Sequence, residues 1–150
     1  MSSGQNTLEE NFAQRREYWM KWVDEISTHM KSIDGLMVIQ SEIYARRQEA
    51  VENYHNLSAA LARQTKAYKD RYNEIYNRVR MIKIPNTPNY VYSTESSLRN
   101  QVEGELSQEK YVIDIIENHM SYMDQTIKTI DNMIFNITNR IKIEEIKMGR

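Results

Sequence analysis

Cysteine is absent from these 150 residues, which excludes a disulfide framework, a thiolate metal site and a thiol nucleophile. Glycine and proline are scarce, at four and two residues, so the chain has few places to turn. That composition favours long helices and predicts an all-α fold. No run approaches the roughly 18 consecutive apolar residues of a membrane span. The N-terminus lacks the basic start and apolar run of a secretion signal. The expectation is a soluble, cytoplasmic protein. The phosphate-binding loop, the dinucleotide fingerprint and the nucleophile elbow are all missing, so the expectation is also a non-enzyme without a cofactor. Glu52-x-x-His55 has the spacing of half a di-iron carboxylate site. No second copy exists to complete it, and no metal is expected.

What the chain does have is a ladder of apolar residues at Ile113, Ile116, Met120, Met123, Ile127, Ile130, Ile134, Ile137 and Ile141. The gaps alternate three and four without a slip, the a/d pattern of a coiled-coil helix. Ile at both seam positions tends to favour assemblies larger than a dimer. Val112 and Met133 widen the seam on one flank; Glu117, Asp124 and Asp131 make the other acidic. One helix cannot bury this stripe on itself, and each buried Ile or Met side chain is worth about 1.5–3 kcal/mol. The partner is an earlier helix of the same chain, the same helix of another copy, or both. These nine residues are therefore the candidate oligomerisation surface.

Taken in order, residues 1–7 are small and polar and are expected to form a disordered tail. A helical region with a basic tip follows over 8–84, opened by a capping box of Thr7 and Glu10. Trp19 and Trp22 lie on its broad apolar face, where core or subunit interface is the plain reading. Asp34-Gly35 is a turn signal. The second half of the next stripe becomes basic and is expected to project beyond the packed core. Residues 85–93 form a loop, since Ile84 precedes Pro85 and is pushed out of the α region. Tyr90-Val91-Tyr92 is a short extended piece within it. Ser93 or Thr94 caps a C-terminal helix over 94–150, with Gly104 marking a bend.

Charge is unevenly placed. From Arg63 to Lys83 seven basic residues face two acidic ones, whereas from Ser93 to Asp131 eight acidic residues face three basic ones. A basic segment carrying Tyr68, Tyr72 and Tyr76 has the composition of a single-stranded nucleic-acid surface, with cations for phosphates and aromatic faces for bases. A solvated helix face with tyrosines as packing is the competing reading. If the chain is extended at Arg78-Val79-Arg80, the two arginines point the same way and grip adjacent phosphates. The candidate DNA contacts are Arg78, Arg80, Lys83, Arg71, Lys69 and Tyr76.

The C-terminal third resembles the UvsY family of phage recombination mediators. The likeness rests on Tyr122, the apolar ladder after it, Ile137-Thr138-Asn139-Arg140, then Ile141, Ile143, Ile146 and the ending Gly149-Arg150. Counted back from Tyr122, Arg78-x-Arg80 falls where the family carries a basic-x-basic pair. The resemblance implies a ring-forming homo-oligomer in an infected host cell that binds single-stranded DNA. It also implies loading of a RecA-like recombinase onto strands covered by single-stranded DNA-binding protein. Met81-Ile82-Lys83-Ile84-Pro85 departs from the family's aromatic stretch at that point, and the tryptophan-bearing helix has no clear counterpart. The alternative is a coiled-coil structural or adaptor protein that binds only other proteins.

Overall fold

The computed structural model describes the backbone of residues 2–149 and the side chains of residues 7–149. Among them are four helices and one small hairpin: α1 (Ser2–His29), α2 (Ile33–Val79), β1 (Met81–Lys83), β2 (Tyr90–Tyr92), α3 (Glu95–Glu105) and α4 (Ser107–Met148). The fold is all-α. No described helix is long and apolar enough to cross a membrane.

Three boundaries differ from expectation. Residues 2–7 continue α1 instead of forming a disordered tail, while Met1 lies outside the described residues. Thr7 and Glu10 therefore sit inside the helix and do not open it. A helix nucleated further along gains one backbone hydrogen bond per added residue, and of residues 2–7 only Gly4 opposes that extension strongly. The first break falls at residues 30–32, ahead of Asp34-Gly35. Ser32 decides it by capping α2, its Oγ accepting from the Gly35 N–H at 3.1 Å. Gly35 has a different use, because a Cβ there would collide with the His29 carbonyl oxygen. The third break comes at Leu106, two residues past Gly104. Its φ/ψ of −99°/12° ends α3, and α4 starts at the next residue.

Contacts group the chain into two compact units that cut across its order. The first contains residues through Leu57 and from Asn118 onward; the second contains Ser58–Glu117. The first unit's core joins Trp19, Trp22 and Ile26 of α1, Leu36, Ile39, Ile43 and Ala50 of α2, and Met123, Ile130, Met133 and Ile137 of α4. Both tryptophans are thus core residues. Trp22 Nε1 donates to Glu42 Oε1 at 3.3 Å. Two α4 side chains hold the backbone of α1. Tyr122 Oη donates to the Arg16 carbonyl at 3.1 Å, and the Arg140 guanidinium donates to the Met30 carbonyl just past the end of α1. A cation on the exposed carbonyls at a helix C-terminus is favoured by the dipole. Tyr122 and Arg140 are therefore structural ties in this fold.

The second unit has its own smaller core of Ile75, Val102 and Leu106, with Tyr68, Tyr72, Tyr76 and Val79 packed against it. The basic half of α2 does not stand bare, as the sequence had suggested. α3 supplies the cover, capped by Thr94, whose side chain accepts from the Ser97 N–H at 3.3 Å.

The α4 stripe is used, but it is rotated. Ile113, Ile116, Met123, Ile130 and Ile137 are buried within the chain, and so are His119, Thr126 and Met133. Met120, Ile127, Ile134 and Ile141 are only half-buried. In heptad terms the chain buries the d line and, from His119 to Met133, the neighbouring g line, leaving the a line beyond Ile113 at the edge. Counting apolar residues missed His119 and Thr126 because both are polar. Their seven-residue spacing with Met133 was the available signal. Thr126 satisfies its hydroxyl on the Tyr122 carbonyl at 3.0 Å.

Candidate nucleic-acid interface

The second unit holds the candidate DNA residues, and the fold divides them into two sets. Helix α2 stays intact to Val79, so Arg78 and Arg80 are not neighbours on an extended strand. Arg78 Nη2 instead pairs with Glu105 Oε2 at 2.6 Å. About two turns of α2 earlier, the Arg71 guanidinium pairs with Glu109. Tyr76 is half-buried, and its hydroxyl lies 3.4 Å from Glu95 Oε2, to which it donates. Tyr68 and Tyr72 pack against each other with ring centroids 6.2 Å apart. These three tyrosines are packing residues and do not form an open stacking surface.

The other set is exposed and uncompensated. Arg80, Lys83 and Lys69 have no ion-pair partner among the described residues. Lys69 borders a shallow hollow with Ser58, Leu61, Ala62, Thr65 and Lys66. Arg80 and Lys83 flank the start of the hairpin, and no acidic residue occurs between Arg80 and Thr94.

The hairpin is the element that sequence reading resolved only in part. Tyr90-Val91-Tyr92 is extended as expected, but it pairs antiparallel with Met81-Ile82-Lys83: Met81 opposes Tyr92, Ile82 opposes Val91 and Lys83 opposes Tyr90. The connection is a chemistry that its residues dictate. Pro85 fixes φ at the second position of a tight turn, and Asn86 takes the left-handed φ of 64° at the third. The Thr87 N–H closes the turn on the Ile84 carbonyl at 3.3 Å, and Ile84 N–H reaches Asn89 O at 3.0 Å. At the open end Ser93 N–H donates to Arg80 O at 2.9 Å. Its hydroxyl donates to Val79 O at 3.2 Å, capping the last turn of α2. The hairpin is thereby pinned to the helix end.

Elsewhere, the first unit contains a pocket of about 800 Å³ lined in part by Phe12, Arg15, Tyr18, Glu49, Asn53 and His119. His119 stacks on Phe12 with ring centroids 4.3 Å apart. Burial first, then the nearby Arg16 and Arg15, pushes its pKa down from 6.5 to about 4. No group of three His, Asp or Glu side chains among the described residues is arranged to hold a metal ion. No protein family, curated protein or solved structure matches the chain.

Proposed function

We propose that the chain is a non-enzymatic recombination mediator that binds single-stranded DNA and helps load a RecA-like recombinase onto it, as the resemblance to the UvsY family implies. The observation that carries this reading is the acid-free stretch from Arg80 to Thr94, which displays Arg80 and Lys83 without carboxylate partners. Uncompensated cations on an exposed hairpin favour a polyanion, and binding through them is sequence-tolerant and salt-sensitive. Arg78 and Arg71 form a reserve. Their ion pairs are solvent-exposed, and such pairs are worth only about 0–1 kcal/mol, so a phosphate competes for either arginine at little cost.

Assembly fits the same reading. Ile127, Ile134 and Ile141 are half-buried, while Tyr44, Met37 and Phe135 are exposed. Tyr44 and Ile134 line one shallow groove in the first unit. A second copy covering this surface would multiply the hairpins presented to one strand and raise avidity without new contacts. The test is fluorescence anisotropy of labelled oligo-dT over a salt series, with duplex of equal length beside it. The expected result is preference for the single strand and steep weakening with salt. Absence of binding at low salt refutes the reading and favours an adaptor that binds only protein.

A further inference from the structure

The register of the hairpin places Met81, Lys83, Tyr90 and Tyr92 on one face, because directly opposed residues share a face and alternate residues repeat it. Tyr90 is 57% exposed and Tyr92 74% exposed. Every residue of both strands is exposed, so neither face is used to pack the second unit's core. Two three-residue strands with no buried face contribute little stability. Their tyrosines are therefore not explained by folding. They contrast with Tyr68, Tyr72 and Tyr76, which the small core consumes.

The geometry points to the Tyr90–Tyr92 face, with Lys83 beside Tyr90, as a stacking platform for the bases of a single strand. This rests on the reading of the protein as a binder of single-stranded DNA and supplies what that reading lacks, a reason to prefer single strands over duplex. Cations alone bind either form. Open aromatic faces reward only bases that are free to unstack, and they do so without reading sequence. Successive same-face residues on a strand lie about 7 Å apart, so each ring has room to meet its own base while the Lys83 ammonium meets the backbone. Charge selects this occupant over an acid-poor or apolar protein surface: the segment carries two uncompensated cations and no carboxylate.

The experiment compares oligo-dT with an abasic strand of equal length and charge. Tyr90→Ala/Tyr92→Ala is expected to bind oligo-dT about tenfold or more weaker than the unaltered protein. Its salt slope should be unchanged and its affinity for the abasic strand nearly so, and Tyr90→Phe/Tyr92→Phe should retain binding. As a direct readout, Tyr92→Trp should have its added fluorescence quenched by oligo-dT and not by the abasic strand. Equal losses on both strands, or no loss on oligo-dT while the unaltered protein binds it with a steep salt slope, overturn the platform alone. An unaltered protein that binds neither strand overturns the platform and the mediator reading together.

Discussion

His119 is a buried imidazole, with its Nδ1 unpartnered and its ring stacked on Phe12 and facing Tyr122. An imidazole in that position serves the fold only while neutral. Since its pKa falls from 6.5 to about 4 on folding, the unfolded chain binds the proton more readily. Stability from this residue is complete above about pH 6.5 and is lost progressively as the pH falls toward 4. Thermal melts of His119→Phe, which keeps a flat ring on Phe12, should fall less steeply across that window than those of the unaltered protein. Parallel curves would show that other groups carry the acid response. At this scale the sequence was informative about type and poor about role. Tyr122 and Arg140 were legible as marked positions, yet their work is to hold the backbone carbonyls of Arg16 and Met30, which lie over a hundred residues away. No local pattern encodes such a partner.

Among the elements, α4 and the hairpin show what periodicity does and does not determine. The three–four spacing established a long amphipathic helix, and α4 spans Ser107–Met148. It did not determine which flank of the stripe turns inward, because the choice belongs to the helices packed on it and two of the deciding residues, His119 and Thr126, are polar. Likewise Pro85 announced a loop, whereas the pairing of Met81–Lys83 with Tyr90–Tyr92 spans too few residues to leave a pattern. The α2–α3 and α2–α4 ion pairs yield a prediction at this scale. Glu105→Gln removes the carboxylate that holds Arg78 and should strengthen binding to oligo-dT by about two- to fivefold at low salt, in keeping with an exposed pair of about 0–1 kcal/mol. An unchanged affinity in the same titration would mean that Arg78 does not meet the strand.

At the scale of the whole molecule, the nine seam residues serve the single chain first. Ile127 packs against the core, so a charge there would damage the fold as well as any assembly. Tyr44 is a cleaner probe, being 52% exposed at the groove edge. Tyr44→Glu should lower the mass measured by sedimentation and leave the helical circular dichroism intact. It should also reduce DNA affinity by about tenfold or more through lost avidity. Identical sedimentation with and without the change would remove the groove at Tyr44 as an interface between copies.

The second unit is one continuous segment, whereas the first is built from two segments separated by sixty residues, Ser58–Glu117. That arrangement sets an order of completion during synthesis. Ile75 can meet Val102 and Leu106 as soon as the ribosome has released α3. Trp19 and Leu36 belong to a core that α1 and α2 share, but that core is closed only when Met123 through Ile137 arrive. Contacts of such long sequence separation form slowly, so the closing of the first unit by α4 is the late step in folding this chain.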